Sequence, residues 1–161
     1  MTETESDRPT VRFDDLAGLE AQMDAGFGPW GPELAITQEM VDAFAELSGD
    51  YQWIHVDVER ARNESPFGGP IAHGFLTLIL FPRLDAQAFK VEGHGSAVNY
   101  GAERLRFISP VPVGSSIRGR SRLLRAEAKG SGILVTTELE VRVVGAEKPA
   151  MLYGMQALYV P

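Results

Sequence analysis

The chain contains no cysteine, which excludes disulfides, thiolate nucleophiles, zinc fingers and iron–sulfur clusters together. Long hydrophobic runs are also missing: the longest, Phe75 to Phe81 with Thr77 inside it, falls far short of the ~18 residues of a membrane span. There is no surplus of positive charge. Fifteen Lys and Arg stand against 22 Asp and Glu, a formal net charge of −7, whereas binding a phosphate backbone needs clustered cations. Neither nucleic acid nor membrane is therefore an expected partner. Histidines are few. His55, His73 and His94 show no i, i+4 pair of the kind that makes a helical metal site, so no bound metal is expected. The start, MTETESDRPT, lacks the positive flank and apolar stretch of a secretory signal, which gives an expected cytoplasmic location. Residues 1–10 are expected to form a disordered acidic tail. What remains is 44% hydrophobic in a chain of 161 residues, the make-up of one globular domain over residues 11–161.

The first half reads as helical. Residues 11–35 are rich in Gly and Pro and are expected to wrap the domain, with one short helix around Asp14 to Ala25. Thr37 is an N-cap residue type, Met40, Val41, Phe44 and Ala45 follow at helical spacing, and Gly49 offers a stop, which predicts a helix from Thr37 to Ser48. Asp57 caps a further turn through Asn63. After the breaker-rich loop at 65–70, Pro70 suits the first position of a helix from Ile71 to Leu80. That helix is apolar on nearly every side and is expected to be buried all round until Pro82 ends it. The second half alternates with period two. Ile117 to Leu124, Ile133 to Val144 and Ala150 to Val160 read as long antiparallel strands, and Arg104 to Ile108 as a shorter one. A sheet wrapped around the apolar helix, an α+β arrangement, satisfies both halves.

Two stretches carry candidate chemistry. In Ser48-Gly49-Asp50-Tyr51-Gln52-Trp53-Ile54-His55 a helix stops and a carboxylate and an imidazole follow five residues apart, where Asp50 and His55 can handle one water. Burial against Tyr51 and Trp53 would bring the carboxylate toward the working range of a proton donor or acceptor. The plainer reading makes Asp50 a cap and His55 a satisfied core histidine. In Gly69-Pro70-Ile71-Ala72-His73-Gly74-Phe75, the Gly74 N–H is free to donate to an oxygen, with no side chain in the way. The alternative is that Gly74 serves tight packing. Gly26-Phe27-Gly28-Pro29-Trp30-Gly31 matches a dinucleotide fingerprint by letter only, since no strand precedes it and Pro29 lacks an amide. The arginines at 104, 106, 118, 120, 122 and 125 either meet phosphates or form the wet face of a strand, and alternation favours the second.

SGDYQWIHVD, the FGGPIAHGFLTL run and RFISPVPVGSSIRGR, in that order, resemble the MaoC-like dehydratases of the hot-dog fold, nearest the nodulation-protein-N-like branch. The resemblance spans about Ile36 to the C-terminus. It implies R-specific hydration of a trans-2-enoyl thioester, or its reverse, with Asp50 and His55 as the catalytic pair and the Gly74 amide on the thioester oxygen. His73, Phe75, Gln52 and Trp53 would line the substrate site. It further implies an acyl-CoA or acyl-carrier-protein thioester as partner, a homodimer, and no metal or redox cofactor. The chain departs from the family pattern at Gln52-Trp53, where many members have Asn-Pro, and at Pro82, where some hydratases carry a pocket serine. A non-catalytic thioester-binding protein or dehydratase partner subunit, and a thioesterase, are the alternatives.

Overall fold

The computed structural model describes residues 8–161. The first half runs β1 (Thr10–Arg12), α1 (Leu16–Ala21), β2 (Leu34–Ala35), α2 (Gln38–Ser48), α3 (Trp53–Val56), α4 (Val58–Glu64) and α5 (Gly74–Ile79). A 3-10 turn (Phe81–Leu84) and β3 (Lys90–Glu92) lead into four long strands. These are β4 (Ser96–Phe107), β5 (Ser116–Lys129), β6 (Gly132–Val143) and β7 (Met151–Val160). They form an antiparallel sheet of order β2-β5-β6-β7-β4, while β1 and β3 make a small parallel pair.

Local chemistry explains most boundaries. The Thr37 hydroxyl accepts from Met40 N, and Gly49 closes α2 at φ 78°, a left-handed conformation that suits glycine. Asp57 accepts from Arg60 N and starts α4. The apolar helix begins later than its composition predicts, at Gly74 instead of Ile71. The amides of Ile71 and Ala72 are committed elsewhere, to the carbonyls of Ile54 and Val111, which holds the segment extended. Pro82 then falls in the 3-10 turn that follows.

The concave face of the sheet is covered by two apolar clusters. Leu76, Leu80 and Leu84 pack on Ile117, Leu139, Val141 and Met151, and farther along the sheet Val11, Leu19 and Phe89 pack on Leu123, Ala126 and Val135. The expectation of a helix buried on every side is not met. Phe75 and Ile79, one turn apart, are 60% and 53% exposed, because the sheet curls around only one side of α5. The strand expected at Arg104 to Ile108 is also longer, pairing with β7 from Ser96 onward. Two bulges, at Asn99/Gly101 and Ala102/Arg104, shift its side-chain register and hide the period-two pattern.

The expected tail needs correction at its end. Residues 1–7 lie outside the described residues, but Arg8 is held with both guanidinium arms on the Asp85 carboxylate, at 2.6 and 2.9 Å, and Thr10 opens β1. An arginine with a bidentate carboxylate partner is part of the fold. The strap that follows closes one edge of the sheet: Gly28 N and Gly31 N donate to the Ser121 and Gly119 carbonyls of β5. On the outer face Phe27 and Trp30 lie against the guanidinium groups of Arg118, Arg120 and Arg122, with ring distances of 4.3–4.7 Å. Arg120 and Arg122 also pair with Glu140 and Glu138. Arg118, Arg120 and Arg122 alternate with buried residues on a partly exposed face, as their spacing predicts, and their guanidinium groups there hold the strap. The opposite edge, β4, is bare along nearly its whole length among the described residues.

Candidate active site

The end of α2 and the N-terminus of α5 bring the two chemical stretches together. His55 lies on the four-residue helix α3 and is buried, its Nδ1–H donating 2.7 Å to the Ile71 carbonyl. A carbonyl can only accept, so Nδ1 carries a proton, and in the neutral ring Nε2 keeps its lone pair. The carbonyl of His55 in turn accepts from Gln38 at 2.8 Å, which ties α3 to the first turn of α2. Burial pushes the His55 imidazole below its ordinary pKa, with neighbouring His73 acting in the same direction and Asp50 and the Ile71 contact opposing. Burial thereby favours the neutral ring.

His73 stacks on His55, centroids 3.9 Å apart and planes inclined by 28°, with Phe44 against its other side at 4.8 Å. Its Nε2–H donates 2.9 Å to the Asp50 carbonyl, and its Nδ1 is buried without a partner. His73, 2% exposed, thus pins the Asp50 backbone to the residue before Gly74. The side-chain donor atoms of Asp50, His55 and His73 lie within 4.8 Å of one another. A water that donates to two acceptors spans ~4.6 Å between them at ordinary hydrogen-bond lengths and tetrahedral angle. The same three groups are the set of donors close enough for a metal ion among the described residues, with two of the four imidazole nitrogens committed to carbonyls.

Beside His55 opens a cleft of about 250 Å³ whose walls include Gly74, Thr77, Phe107 and Ser109. Gly74 is the first residue of α5, so its N–H has no acceptor within the helix, and no other backbone carbonyl among the described residues takes it. The absence of a side chain there matters. A Cβ at Gly74 would sit 2.8 Å from Cδ2 of Phe107.

Of the residues expected to line a substrate site, His55 and Gly74 face the cleft and Asp50 stands within reach of His55. Gln52, Trp53, His73 and Phe75 do not line it. Gln52 is exposed, Trp53 lies under the Arg60 guanidinium at 4.3 Å, and Phe75 sits edge-on to Phe107 at 5.5 Å on the outer side of α5. Nor do Tyr51 and Trp53 wall in the Asp50 carboxylate: Asp50 is exposed and the Tyr51 hydroxyl donates to Glu46. Sequence reasoning missed Phe107, Thr77 and Gln38. Phe107 comes from a strand more than thirty residues away, where no local signal points to the site.

Residues 28–144 match the MaoC like domain. The chain belongs to the MaoC-like dehydratase family. The 3-hydroxyacyl-thioester dehydratase Z of Mycobacterium tuberculosis is 45% identical over 151 residues, 92% of this chain and 97% of its own length. Nodulation protein N of Rhizobium leguminosarum bv. viciae is 43% identical over 120 residues, 73% of this chain and 74% of its own. Among solved structures, the (R)-hydratase from A. caviae involved in PHA biosynthesis superposes with a TM-score of 0.65 at 25% identity, covering 83% of this chain and 96% of that one. The monoamine oxidase regulatory protein from Archaeoglobus fulgius gives 0.71 at 23% identity, over 96% of this chain and 97% of its own, a likeness of fold. The MaoC-like chain therefore has the hot-dog fold, with its sheet around α5.

Proposed function

We propose that this MaoC-like protein is an R-specific enoyl-thioester hydratase, or 3-hydroxyacyl-thioester dehydratase in the reverse direction, acting on acyl-CoA or acyl-carrier-protein thioesters in the cytoplasm. The observation that carries the reading is His55 with Nδ1 committed and Nε2 free, within 4.8 Å of the Asp50 side chain and beside the unpaired Gly74 amide. Two acceptors hold a water by its two hydrogens. As its oxygen attacks C3 of the enoyl thioester, His55 Nε2 takes one proton while Asp50 orients the water. Electron density moves onto the thioester oxygen, where the Gly74 N–H donates. The dyad then returns the same proton to C2, so that one water is added and both groups end as they began. The step needs neither metal nor redox cofactor. Hydration of a trans-2-enoyl-CoA, followed by loss of enoyl absorbance beside a thiol trap, tests the reading. Loss of absorbance without thiol supports it, thiol release points to hydrolysis, and neither points to a binding protein.

The protein acts as a homodimer. The bare β4 edge, beside exposed Phe75, Ile79 and Phe107, is the kind of unpaired edge and apolar patch that soluble proteins cover. A light-scattering mass of one chain, with activity intact, would contradict this.

A further inference from the structure

A second cavity, larger than the catalytic cleft, lies elsewhere among the described residues. It measures about 420 Å³ and shares no wall residue with that cleft. It lies on the concave face between the two apolar clusters, where the core is left unfilled. Its floor is Val135, Thr137 and Leu139 of β6 with Met155 and Tyr159 of β7, and it is roofed by Phe81 and the segment 85–91. Interiors are otherwise close-packed, and a volume of this size falls within the range of ligand pockets.

Cleft and cavity are linked in sequence by α5 and the turn after it: Gly74 and Thr77 of the helix line the cleft, and Phe81, in the 3-10 turn that follows, lines the cavity. Phe81 meets Tyr153 along this route, centroids 6.4 Å apart. A thioester whose oxygen sits at Gly74 can therefore send its acyl chain toward this space.

The cavity's far end is not apolar. Ile133 is opposite Tyr159 in the sheet, which places Tyr159 four strand positions, roughly 13 Å, beyond Thr137. There Tyr159 meets His94 edge to face, with ring centroids 4.9 Å apart. His94 Nδ1 is buried with no hydrogen-bond partner, and the hydroxyls of Tyr159 and Thr137 make no hydrogen bond among the described residues. A buried nitrogen without a partner has lost its hydration with nothing in return unless something fills the role. A plain alkyl chain would leave that loss in place, whereas an oxygen at the chain's remote end would remove it.

We infer that this cavity takes the remote part of the acyl chain and that His94, with Tyr159, selects chains carrying a hydroxyl or carbonyl oxygen there. The inference deepens the proposed function by naming the substrate class. Its test uses binding, which does not require turnover: calorimetry of saturated acyl-CoAs of matched length, with and without a terminal hydroxyl, over short, medium and long chains. Wild type should bind one hydroxylated medium or long chain at least tenfold tighter than its plain partner, with no such gain for short chains. His94→Phe keeps the ring against Tyr159 and should abolish the preference while leaving the affinity for a short acyl-CoA unchanged. Val135→Trp, which fills the floor, should weaken the longer chains selectively. Equal affinity for hydroxylated and plain chains in wild type, or a preference that survives His94→Phe, would overturn the inference, as would Val135→Trp binding long chains normally. Failure of the hydratase reading appears separately, as absence of turnover with a short enoyl-CoA whose binding is intact.

Discussion

Gly74 offers the sharpest separation of a steric effect from an electrostatic one. A Cβ added there would lie 2.8–2.9 Å from three ring atoms of Phe107, against an optimal carbon separation of ~3.5–4.0 Å. The Gly74 φ is not in the left-handed region, so the backbone itself accepts alanine. Phe107 is 45% exposed and can swing outward, which puts Gly74→Ala at the low end of overpacking costs, about 1 kcal/mol. For a chain of this length that corresponds to a Tm lower by ~2–4 °C. Gly74→Pro adds the same Cβ and also deletes the N–H. Proline is favoured at the first position of a helix, and His73 before it has ψ 140°, as a residue preceding proline should. The two variants should therefore differ little in stability. If the amide serves the thioester oxygen, turnover of Gly74→Pro should fall a further ~10²–10³-fold below that of Gly74→Ala. The assay is enoyl-CoA hydration by absorbance, with melting followed by circular dichroism. A folded Gly74→Pro within a few-fold of Gly74→Ala would refute the assignment of the amide.

Arg8→Ala should lower Tm by roughly 3–10 °C, from a loss of ~1–3 kcal/mol once the exposure of Asp85 is allowed for; the Arg8 side chain is 3% exposed and Asp85 40%. Because burial lowers the His55 pKa, the acid limb of kcat/KM should lie below the ordinary histidine value of 6.5, read from a pH–rate profile. The same depression means that its contribution to stability is complete above 6.5 and is lost as pH falls through the folded-state pKa, a loss that His55→Phe should lack in acid melts. His73→Gln can keep a donor to the Asp50 carbonyl, and His73→Phe keeps the stack on His55. If the donor positions the dyad, kcat should be higher in His73→Gln than in His73→Phe at similar Tm.

Local signals were legible where one residue type does one job. Thr37 and Gly49 bracket α2, Asp57 starts α4, and the alternation of Ile117 to Leu123 and Ile133 to Val143 marks β5 and β6. The pattern fails where the backbone leaves its period. Bulges conceal most of β4, and β1 and β3, three residues each, are too short to show alternation. The start of α5 was misplaced because tertiary hydrogen bonds of Ile71 and Ala72 override their helical composition. At the site, Asp50, His55 and Gly74 were marked by residue type beside glycine-rich breaks. What fixes them was not legible: the Ile71 carbonyl under His55, His73 on the Asp50 carbonyl and Phe107 over Gly74 are contacts between distant segments.

The central claim is that Asp50 and His55 handle one water as a unit. The most direct measurement is turnover of a short trans-2-enoyl-CoA by Asp50→Asn, His55→Ala and the double variant, each checked for fold by circular dichroism. Each single change should lower kcat by ~10²-fold or more, and the double variant should be much less than multiplicatively worse. A folded single variant with near-full activity, or singles whose losses multiply in the double, would contradict the account.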